Sequence, residues 1–323
     1  IPMPRADWNE KNMRYAFCWF PVIGLVIGLV ELAVFYILTK WQAGSVFRGV
    51  CLMAVPLLVT GGIHLDGFMD TTDARSSYGD REKKLAILKD SHVGAFAVIG
   101  CSFYLILSAG AWSEIDAKGI VVMAMAFVLE RAFSGLAAVN FKGARKDGML
   151  TAFREPARKR TVTVVLAAEA VISAIVMCYL WLPVGLLCSL GAVLTFVYYY
   201  KMAMKEFGGT TGDLAGWFLQ TCELVMLMLT VVGKIFWHNI VNTRGERYDI
   251  CNRRLFSGKT AVGASKLSGA AIPGGRWGSL QYGSNQKCRC TGSFSFAGAP
   301  LDAGRQKYRR MRRKRFCQII RIL

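Results

Sequence analysis

The stretch GGIHLDGFMDTTDARSSYGDREKKLAILKDSHVGAF, residues 61–96, gathers side chains that can do chemistry. Asp66, Asp70 and Asp73 stand at i, i+4 and i+7, which places three carboxylates on one helical face. Like charges at that spacing repel, so a helix gains nothing structural from them. A divalent cation removes the repulsion, because hard carboxylate oxygens and substrate phosphates together satisfy Mg²⁺. The plainer reading is a solvated acidic face. Against it, the triplet adjoins an apolar run and Gly61, Gly62 and Gly67, and acids at a membrane boundary point to function. His64 reads as a substrate contact, a general base or a hydrogen-bonded structural residue. Further on, Lys89 suits a phosphate, and Asp90 suits a metal or the orientation of Lys89. A juxtamembrane ion pair is the plainer reading of those two.

Two more groups carry the same flavour. Glu130 and Arg131 sit inside an apolar stretch, where unpaired charge is costly, so a pairing or a cavity is expected. Shortly after, FKGARKDGM supplies Lys142, Arg145, Lys146 and Asp147. A guanidinium fork matches phosphate geometry, which favours Arg131 and Arg145 as ligands; membrane anchoring explains Lys142 and Lys146. The third group is EFGGTTGDLAGWFLQTCE, residues 206–223. Gly208, Gly209 and Gly212 permit close backbone approach, and Thr210 and Thr211 offer hydroxyls. Asp213 enters a helix at its N-terminus, where an anion is favoured. No GK[ST] follows, so this is not a Walker A loop. Acids, glycine loops and arginines brought together would serve metal-assisted phosphoryl chemistry, with Gly209, Thr211, Gly212 and Asp213 against the phosphates.

The elements that must position these groups are apolar. The chain has 323 residues, 54% of them hydrophobic. They fall in nearly uncharged blocks of roughly 17 to 25 residues, the length that crosses about 30 Å of hydrocarbon. Most blocks lack the polar face that a helix in a soluble core would show, and strand-like alternation is absent, which argues against a β-barrel. The expected fold is an all-α polytopic membrane protein with about seven transmembrane helices, near 15–38, 46–62, 94–112, 120–140, 162–182, 184–203 and 214–235. Backbone groups inside the bilayer must be satisfied within each segment, hence helices.

Lys and Arg set the orientation. They crowd the N-terminal stretch (Arg5, Lys11, Arg14) and the segments after spans two, four and six, whereas the opposite connections hold only Lys40, Arg48 and Lys118. The basic side, with all three polar groups on it, is expected to face the cytoplasm across the cell membrane. The cysteines lie mostly in or beside apolar blocks and form no CxxC pair, and Cys288 and Cys290 without a partnering His make a poor zinc site.

Residues 1–235 carry 22 basic and 18 acidic side chains, and residues 236–323 carry 18 basic and 3 acidic. The first region reads as the membrane-embedded domain. The second is Gly- and Ser-rich, ends in YRRMRRKRFCQIIRIL, and would emerge on the side opposite to the positive-inside trend. A basic arm for nucleic acid or anionic lipid is one reading; a disordered or non-native end is the expectation preferred, with no specific nucleic acid as partner. The start at Ile1 reads as a front-end truncation.

Residues 61–96, the ARKDG stretch and GGTTGD together resemble the cobalamin synthase family of adenosylcobinamide-GDP ribazoletransferases. The opening IPMPRADWNEKNMRYAFCWFPVIGLVIG is similar to that family's beginning, so the likeness covers about residues 1–235. HLDGxxDTxDA followed by KDSxxG at this spacing is a specific signal. His92 departs from it, since many relatives carry Arg there.

The resemblance implies an integral membrane enzyme that uses Mg²⁺. Its α-ribazole substrate, or the 5′-phosphate, attacks the diphosphate of adenosylcobinamide-GDP to give adenosylcobalamin, or its phosphate, and GMP. By motif match, Asp66, Asp70 and Asp73 would hold the metal, and Lys89, Asp90 and Asp213 belong to the KDS and TGD motifs. The partners implied are the two substrates and the lipid bilayer, with a homo-oligomer left open. One rival is a CDP-alcohol phosphotransferase, but DG and AR occur here without the GxxxDxxxD that should follow. The other is a transporter using Glu31, Glu130, Glu169 and Glu223, although no internal repeat supports it.

Overall fold

A computed structural model describes residues 13–90, 92–145 and 148–237. The expectations for Arg5, Lys11, Lys146, Asp147 and the tail beyond Trp237 fall outside these residues. A 3₁₀ turn at Ala16–Trp19 leads into α1 (Phe20–Lys40), which Pro21 starts at a position where its missing amide costs nothing. Then follow α2 (Ser45–Thr60), α3 (Ile63–Ser76), α4 (Arg81–Ile87), α5 (Ala95–Ser113), α6 (Ala117–Asn140), α7 (Met149–Arg154), α8 (Lys159–Leu180) and α9 (Leu182–Met202). A π-helical turn, Ala203–Phe207, continues α9, and α10 runs over Gly212–Trp237.

Six of these helices are long and apolar enough to cross a membrane, and the bent pair α2–α3 makes a seventh if counted as one span. The chain is thus a multi-pass helical membrane protein. The departure from the sequence reading lies in the second span. It has sixteen residues, about 24 Å of helix, and then turns by 95° into α3. Gly61 and Gly62 make the turn with φ of 65° and 78°, a left-handed backbone that glycine adopts without a Cβ penalty. The polar helix α3 thereby leaves the course of the spans and carries its carboxylates sideways across one end of the bundle.

The core is built around α6. Of its apolar window 72% is buried, against 28% for α1, α5 and α8, whose exposed Leu, Ile and Val side chains form the lipid-facing surface. Small residues let backbones approach, as they do generally between membrane helices. A Cβ on Gly24 or Gly28 of α1 would collide with backbone atoms of Phe127 or Ala124 on α6, and one on Gly49 of α2 with Ala109 and Ser113 of α5.

The buried charges of α6 follow the expected rule. Glu130 and Arg131 of α6, each 1% exposed, pair directly with each other, and Arg131 also donates to the Phe127 carbonyl at 3.3 Å. Glu31 and Glu223 are buried in the same interior.

All three polar segments meet at one end. Residues 142–144 and 209–210 form a short bridge, with Thr210 N–H donating to the Lys142 carbonyl at 2.8 Å and Ala144 N–H to the Thr210 carbonyl at 2.9 Å. At the other end, Lys234 of α10 donates to the Glu114 carbonyl between α5 and α6.

Candidate active site

Glu206 ties the parts of this end together. In the π turn, its carboxylate accepts from Lys84 of α4 at 2.7 Å and from Arg75 of α3 at 3.3 and 3.4 Å. Arg75 also donates to the Tyr198 hydroxyl at 2.9 Å and lies over the Trp217 ring. The glycines that follow close the loop. Gly208 has φ 71°, and a Cβ on Gly209 would overlap the backbone of residues 142–144. The Thr211 hydroxyl accepts from the Leu214 amide at 3.2 Å and so caps α10. Thr210 is hydrogen-bonded to the buried Tyr199 hydroxyl.

The loop delivers Asp213 to α3. A Cβ on Gly67 would stand 2.8 Å from both the Cα and the carbonyl oxygen of Asp213, and one on Gly216 would meet the His64 carbonyl at 2.9 Å. Two glycines on facing helices therefore let α3 and α10 touch backbone to backbone. Arg145 reaches the same place from the α6–α7 loop. One guanidinium nitrogen donates to the Leu85 carbonyl at 2.7 Å, and another lies 4.0 Å from an Asp213 carboxylate oxygen.

Two cavities meet at Asp213. The smaller, about 120 Å³, is lined by Arg145, Thr151, Thr210 and Thr211 together with Gly148 and Gly212. The larger, about 260 Å³, is mostly apolar and runs between the 3₁₀ turn, α3, α6, α7 and α10, with His64, Asp66, Asp213 and Ser134 as its polar members. Leu150, Gly212 and Asp213 belong to both.

The residues singled out by sequence are divided by this geometry. Asp66, Asp213, His64, Arg145, Thr211 and Gly212 line the cavities, while Gly209 shapes the loop behind them. Asp70 lies within electrostatic reach of Asp66, Asp213 and Asp73; desolvation first, then those three carboxylates, push its pKa up to about 6. Asp73 faces α5 instead, its carboxylate filling the space where a Cβ of Gly94 would go.

Lys89 and Asp90 sit on the exposed turn after α4. There Asp90 accepts from the His92 ring at 2.6 Å and from its amide at 3.0 Å, bonds that hold the Asp90 pKa below its ordinary value and raise that of His92. Arg131 lines neither cavity, being locked to Glu130 in the core. Among the described residues no three His, Cys, Asp or Glu side chains lie close enough together to enclose a metal ion.

Sequence reasoning passed over Glu206, Thr151 and the aromatic walls supplied by Phe17, Phe20 and Phe153. Glu206 stood beside the GGTTGD motif and Thr151 just after ARKDG, so proximity to the motifs was their only signal. The phenylalanines had none, since aromatic residues at span ends are ordinary interfacial anchors.

A family profile described as cobalamin-5-phosphate synthase matches residues 1–231. The adenosylcobinamide-GDP ribazoletransferase of Lachnoclostridium phytofermentans is 43% identical over 234 residues, covering 72% of this chain and 90% of the relative. The proteins of the same name from Clostridium perfringens strain 13 and Treponema denticola are 30% and 33% identical, covering 71% and 68% of this chain and 92% and 88% of theirs. No solved structure matches.

Proposed function

Because this chain belongs to the cobalamin-5-phosphate synthase family, we propose that it is an adenosylcobinamide-GDP ribazoletransferase. It joins adenosylcobinamide-GDP to α-ribazole, or its 5′-phosphate, giving adenosylcobalamin, or its 5′-phosphate, and GMP. Neither a CDP-alcohol phosphotransferase nor a transporter is favoured beside this match. The observation that carries the reaction onto particular residues is the meeting of both cavities at Asp213, with Asp66 on one side and Arg145 on the other.

The products fix the bond changes. A ribose oxygen attacks the phosphorus that bears cobinamide, the bond from that phosphorus to the bridging oxygen breaks so that the oxygen leaves with GMP, and the proton of the attacking hydroxyl leaves. Arg145, with its guanidinium fixed by the Leu85 carbonyl, is placed to neutralise phosphate oxygens as charge moves onto the GMP leaving group. Asp66 and Asp213 line the cavity where the hydroxyl would stand; with Asp66 among the residues that would hold a cation, Asp213 is the candidate proton acceptor. Asp73 is not placed for that role, because its carboxylate lies against Gly94.

Magnesium fits this donor set in a particular way. Mg²⁺ commonly takes one or two carboxylates and fills its remaining positions with water and substrate phosphate, so an all-protein cage is not needed. Burial first, and then the charges of Asp66, Asp213 and Asp73, raise the Asp70 pKa, and a dication would relieve the repulsion among these carboxylates. Asp66 and Asp70 would hold it, with Asp213 across the cleft and Asp73 behind. Bound there, the ion would offset the charge of the diphosphate.

We place the site at the cytoplasmic face of the cell membrane, since the basic loops and the cavities share one end of the bundle. The test is a membrane-fraction assay with adenosylcobinamide-GDP and α-ribazole 5′-phosphate, with Mg²⁺ or EDTA, following GMP and the complete corrinoid. Magnesium-dependent release of both supports the proposal; well-inserted protein that releases neither overturns it.

A further inference from the structure

The larger cavity has a chemistry that the reaction alone does not explain. It is a slot with aromatic pairs on two sides. Phe17 and Phe153 pack edge to face with ring centroids 6.3 Å apart, and Phe20 and His64 do so at 6.4 Å. Ile63 of α3 and Leu219 of α10 complete the apolar lining. A flat aromatic guest would find both ring faces and ring edges to pack against.

Resting on the proposed reaction, we infer that this cavity is the subsite for the aromatic base of the incoming nucleotide, and that it selects a benzimidazole-like base over a purine. Three features support this occupant. The cavity is far too small for a corrin macrocycle, which leaves the two bases of the substrates. A guanine edge carries an amide, an amine and a carbonyl that all need partners, whereas this slot is walled mainly by carbon. The third feature is adjacency. The cavity with Arg145 and Thr151 opens beside it and shares Leu150, Gly212 and Asp213, so one nucleotide can place its base in the apolar slot and turn its ribose toward the diphosphate that Arg145 would hold. Its ribose then lies at Asp213, next to Asp66, where the attacking hydroxyl is needed. An adenine base would set its ring nitrogens and amino group against walls that are mostly carbon, which is expected to cost about 10- to 100-fold in kcat/KM.

Ile63→Trp tests the assignment. Ile63 is half exposed at the mouth of the slot, so the larger ring can enter the cavity without disturbing the core. In purified full-length protein with both substrates varied, the substitution should raise KM for α-ribazole 5′-phosphate about tenfold or more. KM for adenosylcobinamide-GDP should stay within about twofold. Phe153→Leu, which keeps the volume and removes the ring, should move the same KM in the same direction. Wild-type protein should prefer the benzimidazole nucleotide to its adenine counterpart. A rise confined to KM for adenosylcobinamide-GDP would put guanine in the slot and overturn the inference, as would equal use of the two bases. Those outcomes leave the reaction standing; wild-type protein that releases no GMP overturns the reaction and the subsite with it.

Discussion

The backbone of Gly67 rests directly on the backbone of Asp213, with no room between them for a methyl group. This one contact sets the distance between the Asp66–Asp70 face of α3 and the start of α10, because Gly67 lies between those two acids. Gly67→Ala should push the helices apart by a few tenths of an ångström or more. Misplacement on the ångström scale can cost about 100-fold in turnover, so a fall of about 10- to 100-fold is expected while the protein still inserts. Initial-rate assays normalised to protein in the membrane fraction check this; near-normal turnover would mean that the crossing distance does not matter to catalysis.

Asp70 lines neither cavity, yet burial, and after it the charges of Asp66, Asp213 and Asp73, raise its pKa to about 6. Asp70→Asn removes the charge and keeps the shape. If Asp66 and Asp70 share the cation, turnover should fall at least about 100-fold, and the Mg²⁺ concentration for half-maximal residual rate should rise. Asp73→Asn should be milder, since that carboxylate lies against Gly94. Equal losses for the two variants would refute this ranking.

The same raised pKa predicts the pH dependence. Above about pH 6 Asp70 is ionised and ready to bind a cation; below it a proton must first be displaced. Apparent Mg²⁺ affinity should therefore be flat from pH 8 to 7 and weaken as pH falls through 6, approaching tenfold per unit for one competing proton. Magnesium titrations of the rate at pH 7.5, 6 and 5.5 measure it. An affinity that does not change across that range would remove Asp70 from the metal site.

Arg131 and Arg145 looked alike in sequence but occupy different environments. Arg131→Met leaves Glu130 buried without its partner, a change that costs about 3–5 kcal/mol when a buried pair is broken from one side. The loss should appear as less folded protein, with KM unchanged in what remains. Arg145→Lys should keep the yield and raise KM for the nucleotide substrates, because an ammonium cannot hold the Leu85 carbonyl and a phosphate in the same fixed fork. Detergent-solution melting curves and KM values from the same preparations separate the two.

Sequence by itself determined that the chain crosses a membrane several times as helices. Apolar runs of that length have no other way to satisfy their backbone groups in hydrocarbon. It also led to the expectation that Glu130 and Arg131, charges inside an apolar helix, need a pairing or a cavity; their direct pairing with each other came from the structure. The i, i+4, i+7 spacing of Asp66, Asp70 and Asp73 put them on one face, and the alternation of Lys and Arg put their loop on the same side as ARKDG and GGTTGD.

Which polar residues then meet was decided only in three dimensions. The 95° turn at Gly61 and Gly62, the backbone contact of Gly67 with Asp213, and the anchoring of Arg75 and Lys84 by Glu206 bring Asp66 and Asp213 to a shared wall. They leave Asp73 against Gly94, Lys89 on the surface and Arg131 in the core. The physical reason is that spacing along one helix fixes only a direction around that helix. Contact between residues more than a hundred positions apart depends on how closely two backbones can pack, and that depends on a few glycines and one bridging carboxylate.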